Sequence, residues 1–164
     1  MDKGLLRAIL DVWEIDYPKL KTSINERIKV QKLMHLLQNK LFGSDTFYGY
    51  NMYLYGPYSP TLSQDYYELA ENPAAHAPKQ LKKSAVKHIE QVKDDARTFA
   101  EEHSMREVRA LELLGTTLFF AKQYSKPDKV VTAVRTVKKT FNSSTVKAAR
   151  QFLVDKGYFR PRAA

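Results

Sequence analysis

Apolar residues recur three or four positions apart through most of this chain, and that spacing predicts helices rather than strands. Two segments, residues 24–41 and 105–123, are apolar around much of their circumference, so we expect them to be buried helices. Glycine or proline follows several of the segments and marks their ends. The predicted helices are Lys3–Glu14, residues 24–41 (beginning at Ile24 or Asn25), Pro60–Glu71, Lys79–His103, Met105–Gln123, Pro127–Lys139 and Thr145–Lys156.

One stretch departs from the helical pattern. Residues 47–55 alternate between two faces in the manner of a strand, and seven of the chain's ten tyrosines lie between positions 48 and 67. We expect Gly56-Pro57 to end this strand, because proline fixes its own φ and has no N–H to donate. Ser59 is then placed to cap the next helix, with Pro60 at its first position. Large residues on both faces indicate a strand that helices cover on both sides.

The tyrosine-rich stretch has two interpretations. It is either a core with hydroxyl groups at its edges, or a contact surface, since tyrosines supply large, rigid and amphipathic contact area. The inward-facing positions expected in the core are Tyr50, Met52 and Leu54. The positions left open between core and surface are Tyr53, Tyr55 and Tyr58, which flank the turn.

These elements predict a mainly α fold, that is, α+β with a small β-hairpin. We expect a multi-helix bundle around a central buried helix, with a helix-turn-helix-like C-terminal part. A length of 164 residues suits a single domain covering 1–164. The loop ENPAAHAPK, at positions 71–79, marks the one plausible internal boundary, which would separate sub-units 1–75 and 76–164.

Positive charge is concentrated in the last quarter of the sequence. The net charge is +9, and residues 126–164 hold ten lysines and arginines against two acids. Such a basic segment either binds nucleic acid or forms a solvated surface. If its last two helices enter a DNA groove, the contacting side chains would come from the turn and from the outer face of the final helix. The candidates are Lys138, Lys139, Lys147, Arg150 and Gln151.

The residue types needed for catalysis are not grouped in the sequence. There is no cysteine, no glycine-rich phosphate loop and no nucleophile elbow, and the four histidines are far apart. We interpret His35 as a packed or partly exposed histidine, not a metal ligand, and the pairs Asp94-Asp95 and Glu101-Glu102 as solvated. The sequence thus predicts a non-enzymatic protein without a metal or cofactor. With no signal-peptide pattern and no long apolar run, we expect a cytoplasmic protein that does not enter a membrane.

Two motifs resemble a known family. The segment KVQKLMHLLQ (Lys29 to Gln38), followed by YLYGPYSPTL (Tyr53 to Leu62), resembles the Panacea family, the SocA-type antitoxin domain, and its YwgA-like relatives. The later segments LELL (Leu111 to Leu114) and AARQFLVDKGYF also resemble the YwgA-like branch, and Tyr58-Ser59 after YGP is closer to that branch than to the SocA-type pattern.

The resemblance implies a mostly helical domain with a small β element and names no catalytic residue. Some relatives neutralise toxins by direct binding or deliver a toxin to a protease. We therefore predict a binding module for a protein partner, toxin-like or a protease, in an antitoxin-like or adaptor role. Its contact residues would be Tyr53, Tyr55, Tyr58 and Ser59. The alternative is a DNA-binding transcriptional regulator that uses the basic C-terminal segment.

Overall fold

Helices make up most of the computed structural model, which describes residues 1–163. The described part contains eight α-helices, one 3-10 turn (Pro73–Ala75) and one β-hairpin, which confirms the predicted mainly α class. None of these helices is both long enough and apolar enough to cross a membrane. The elements are α1 (Lys3–Val12), α2 (Tyr17–Thr22), α3 (Ile24–Phe42), β1 (Asn51–Tyr53), β2 (Gly56–Tyr58), α4 (Pro60–Glu71), α5 (Lys83–Glu102), α6 (Glu107–Ala121), α7 (Pro127–Val137) and α8 (Ser143–Asp155).

Helices α3 and α6 pack against each other at the centre of the molecule. Residues 30–39 of α3 and residues 110–118 of α6 are all buried, which confirms the two buried helices predicted from the sequence. The hydrophobic core around them runs from Leu6 in α1 to Tyr158 beyond α8. It therefore includes side chains from both sides of the loop at 71–79.

Local capping signals set several helix ends where the sequence predicts them. Helix α3 begins where the Ser23 hydroxyl accepts a hydrogen bond from the Glu26 N–H, at 3.4 Å. It ends at Gly43, whose φ of 66° is in the left-handed region that a glycine adopts without strain. Ser59 caps α4 by accepting from the Leu62 N–H at 3.2 Å.

Two helices differ from the prediction. Helix α2 is not among the predicted helices, and it accommodates Pro18 in its first turn, where an N–H would have no partner within the helix. The last helix, predicted to begin at Thr145, is capped by Asn142. Its side-chain oxygen accepts from the Thr145 N–H at 2.8 Å, so that helix begins two residues early.

Helix α5 differs from its prediction in two ways. It begins at Lys83, not Lys79, because the chain before it is tied to α1 by a hydrogen bond from the Lys79 N–H to the Gly4 carbonyl. Asp95, which we expected to be solvated, is 1% exposed. Its carboxylate accepts hydrogen bonds from the Lys40 amine and the Tyr158 hydroxyl, both at 2.8 Å. A buried carboxylate thus ties α3 and the segment after α8 to α5.

The predicted strand over residues 47–55 is confirmed only at Asn51–Tyr53, and its other residues lie outside the strand. Residues 47–50 do not pair with another strand, because the Gln38 side chain takes the place of a partner strand. It accepts a hydrogen bond from the Tyr48 N–H and donates one to the Tyr48 carbonyl. Strand β1 pairs antiparallel with β2, so Gly56-Pro57 lies inside the second strand and does not end the first. Leu54 is in the turn between them and is 76% exposed, not in the core.

Candidate functional site

The two strands and their turn, Asn51–Tyr58, form a tyrosine hairpin that stands beside α3 and α4. An open groove of about 300 Å³ runs between the hairpin and these helices, and we refer to it as the hairpin groove. Its walls are mostly aromatic and aliphatic. The lining residues are Ile24, Arg27, Ile28, Gln31, Lys32, Tyr53, Leu54, Tyr55, Gly56, Tyr58, Tyr66 and Tyr67.

Three consecutive side chains at the hairpin tip, Tyr53–Tyr55, are directed to solvent. Tyr53 is 51% exposed, Leu54 76% and Tyr55 41%. Tyr58 is half-buried and packs edge-on against Tyr53, with ring centroids 5.0 Å apart. Aromatic and aliphatic groups exposed together beside a groove are characteristic of binding surfaces in proteins. For Tyr53 and Tyr55, the structure therefore favours the surface interpretation over the core.

Two lysines hold the hairpin by its backbone carbonyls. From α3, the Lys32 amine donates to the Pro57 carbonyl at 2.7 Å. From the end of α7, the Lys138 amine donates to the Leu54 carbonyl and lies 3.4 Å from a Glu112 carboxylate oxygen. Each lysine comes from a different helix, so the hairpin is attached to the core at β2 and at its turn.

The Lys32 amine is in an unusual environment for a charged group. Only 1% of the residue is exposed, and among the described residues its one hydrogen-bond acceptor is the neutral Pro57 carbonyl. Burial lowers the pKa of Lys32 to about 7, because an ammonium loses its hydration there. The Glu112 carboxylate acts against this shift and the Lys138 ammonium adds to it.

Glycine is required where the hairpin meets α6. Gly56 has a φ of 93°, which a side chain would make strained. A Cβ atom there would lie 2.7 Å from the Thr116 hydroxyl oxygen and 3.4 Å from Cε of Lys32. The strand can approach α6 this closely only without a side chain.

Ser59, one of the four predicted contact residues, has another role. It is completely buried, so it presents no surface to a partner. The Gln31 side chain clamps its backbone, donating to the Ser59 carbonyl at 3.0 Å and accepting from the Ser59 N–H at 2.9 Å. Ser59 thus fixes the path from β2 into α4.

The five predicted nucleic-acid contacts do not share one surface. Lys138 is 9% exposed and is directed to Leu54 and Glu112, so it is not available to a phosphate. Arg150 is half-buried and stacks over the Phe159 ring at 5.5 Å.

The remaining three are exposed, Lys139 on the turn before α8 and Lys147 and Gln151 on α8 itself. Lys147 lies 3.8 Å from the Asp128 carboxylate, and Gln151 donates to the Asp155 carboxylate at 2.7 Å. Lys139 has no ion pair within residues 1–163. The exposed part of this set therefore carries two lysines and one glutamine.

A second group of polar side chains lies deeper, between α3 and the segment before β1. His35 is completely buried, and neither ring nitrogen has a hydrogen-bond partner among the described residues. Its ring packs on Tyr50 with centroids 4.7 Å apart. Burial lowers the pKa of His35 to about 3, so the ring is neutral near pH 7. This confirms the interpretation of His35 as a packed residue.

Sequence reasoning missed Lys32 and Glu112 as parts of this site. A signal for Lys32 was present, since Ile28 and Leu36 lie four residues before and after it on the buried face of α3. Glu112 lies within the LELL segment, between apolar residues of α6.

Within residues 1–163, no three His, Cys, Asp or Glu side chains lie close enough together to hold a metal ion. The tyrosine hairpin and its groove offer exposed contact area, a concave surface and buried lysine amines, which are features of binding sites. Comparisons with family models, with curated proteins and with solved structures find no match to this chain.

Proposed function

We propose that this chain is a non-enzymatic binding module that captures a protein partner through the tyrosine hairpin and its groove, in an antitoxin-like or adaptor role. The observation that carries the proposal is the hairpin tip, where Tyr53, Leu54 and Tyr55 expose apolar surface beside the hairpin groove. Surfaces of this kind, with an aromatic cluster and an adjoining concavity, are where binding energy concentrates in protein interfaces. The antitoxin-like role comes from the resemblance of the two motifs to the Panacea family.

Rigidity of the hairpin supports the same proposal. Binding costs less free energy when the contact surface is ordered beforehand. The carbonyls of Leu54 and Pro57 both accept hydrogen bonds from lysine amines, so the backbone of the hairpin is anchored without a partner. A partner would meet a preformed surface.

The proposal is tested by affinity capture from an extract of the source organism, with each recovered protein quantified for wild type and variants. Leu54→Ser and Tyr55→Ala remove exposed side chains, so both variants should stay folded while losing a specific partner by roughly thirtyfold or more, as at an interface hot spot. The matched control is Tyr124→Ala, because Tyr124 is also 41% exposed but lies after α6. A set of recovered proteins unchanged by both hairpin variants would contradict the proposal.

A second candidate function is DNA binding, and the exposed lysines of the α7–α8 pair favour it. These helices pack on each other and leave Lys139 and Lys147 in solvent. A titration of random-sequence duplex at about 50 and about 200 mM salt should then show binding that collapses with salt. Lys139→Ala should weaken it, and Lys87→Ala, an exposed lysine on α5, should not. Absence of binding at the lower salt concentration would exclude this function.

A further inference from the structure

Charge in the hairpin groove is one-sided. Its lining includes two basic residues, Arg27 and Lys32, and no aspartate or glutamate. The Glu112 carboxylate, which acts on the pKa of Lys32, lies 3.4 Å from the Lys138 amine. The groove therefore has mostly apolar walls and a positive electrostatic potential.

Arg27 has most of its hydrogen-bonding capacity free. A guanidinium carries five N–H donors. Among the described residues, Arg27 donates once, from Nη1 to the Leu20 carbonyl at 3.1 Å, and makes no ion pair. It is half-buried at the groove, where an ion pair is screened less than on an open surface. Two other basic residues of α3 are paired: Lys29 with Glu26, and Lys40 with Asp95.

Lys32 adds positive charge beneath the groove when it is protonated. Its amine is fixed at the Pro57 carbonyl, at the base of the hairpin, where water screens a charge little. Because its pKa is about 7, Lys32 is protonated in about half of the molecules at pH 7, and a carboxylate entering the groove would favour that form. The carboxylate would gain in addition from the Arg27 guanidinium, which would repel a basic side chain.

From this complementarity we propose that the hairpin groove selects a segment of the protein partner in which an aspartate or glutamate stands next to an aromatic or aliphatic side chain. The apolar side chain fills the groove, and the side-chain carboxylate pairs with the Arg27 guanidinium, which can bind it through two parallel hydrogen bonds. The inference rests on the proposed function and adds the chemistry of the partner.

The test begins with selection of short random peptides from a display library, using the full chain as bait. Peptides enriched on wild type but not on Leu54→Ser are then synthesised with amidated C-termini. For each acidic peptide, a matched amide peptide is also made, in which Asp is replaced by Asn or Glu by Gln. Fluorescence anisotropy gives the Kd of each. The quantity compared is the ratio of the Kd of the amide peptide to the Kd of the acidic peptide.

We expect the enriched peptides to be acidic, with a Kd ratio of about ten on wild type. Arg27→Gln should bring the ratio to about one, and Arg27→Lys should restore part of it. The control Arg97→Gln changes the same residue type on α5, where Arg97 is 50% exposed and pairs with Asp94, and should leave the ratio unchanged.

Two other outcomes distinguish a failure of this inference from a failure of the proposed function. Peptides that need Leu54 but bind equally well as acids and amides would overturn the preference for a carboxylate and leave the hairpin as the binding site. A library that yields no peptide dependent on Leu54 would overturn both.

Discussion

Replacing Lys32 by methionine tests whether the hairpin is built over a buried charge. Burial lowers the pKa of Lys32 from its ordinary 10.5 to about 7. One pKa unit corresponds to about 1.4 kcal/mol, so keeping this lysine in the fold costs up to about 5 kcal/mol of stability below pH 7. Because the residue is only 1% exposed, solvent screening removes little of this cost.

The direction in which stability changes with pH depends on whether the folded or the unfolded chain holds the proton on Lys32. Between pH 10.5 and pH 7, the unfolded chain holds a proton on Lys32 that the folded chain does not. Wild type should therefore lose about 3 kcal/mol relative to Lys32→Met as the pH falls from about 10 to about 7. Loss of the hydrogen bond to the Pro57 carbonyl, worth about 1 kcal/mol, affects the variant at both pH values and cancels in this comparison.

The assay is urea unfolding of wild type and Lys32→Met at both pH values, with Lys87→Met as the control for losing an exposed lysine. Burial raises the pKa of Tyr48, Tyr50 and Tyr158 above the ordinary value of 10.0, which also makes stability depend on pH near 10, but these tyrosines are present in all three proteins. If the stability difference between wild type and Lys32→Met is the same at both pH values, the reasoning is refuted, because Lys32 then keeps an ordinary pKa in the fold.

Three further changes probe other parts of the structure. Gly56→Ala should cost roughly 2–3 kcal/mol in urea unfolding, from strain at its positive φ and the close approach to α6, whereas Gly49→Ala, with nothing within 4 Å, should change stability by less than about 0.5 kcal/mol; similar losses for both would contradict this. Tyr158→Phe should lower the free energy of unfolding by about 1–2 kcal/mol, because the buried Asp95 carboxylate loses a donor, and an unchanged value would show that water replaces it. For His35 the pKa of about 3 lies below that of the unfolded chain, so stability falls as the pH drops below 6.5. His35→Leu should remove about 3 kcal/mol of that fall between about pH 7 and pH 4, and an equally steep fall in both proteins would count against it.

Features set by neighbours in the sequence were predictable. The bounds of α3 and α4 follow from a serine cap, a proline at the first turn and a glycine at the end, all within one turn of the helix terminus. The apolar periodicity of α3 and α6 also identified the two helices at the centre. These signals need no knowledge of the tertiary structure.

Features set by distant contacts were not predictable. Residues 47–50 alternate like a strand, but the Gln38 side chain supplies hydrogen bonds that a partner strand would otherwise supply. Leu54 alternates with core residues, yet it occupies a two-residue turn. Local pattern gives no information on which backbone groups a side chain elsewhere will bind.

The charged residues of the candidate site show the same limit. The sequence pattern around Lys138 and Asp95 indicates exposed positions, yet both residues are buried. Each is neutralised by an oppositely charged residue distant in the sequence, Lys138 by Glu112 and Asp95 by Lys40. The exposed tip at Tyr53 and Tyr55 was anticipated as one of two alternatives. Only the fold decided between them.

Attachment of the hairpin through backbone carbonyls has a consequence for how this protein can evolve. Lys32 and Lys138 bind main-chain oxygens, which every residue possesses, so the anchoring does not depend on the side chains at positions 53–55. Substitutions at the tip can thus accumulate with little loss of stability, while Gly56 and the two lysines stay constrained. A lineage could change what the tip recognises and keep the scaffold, as antibody loops vary on a constant framework.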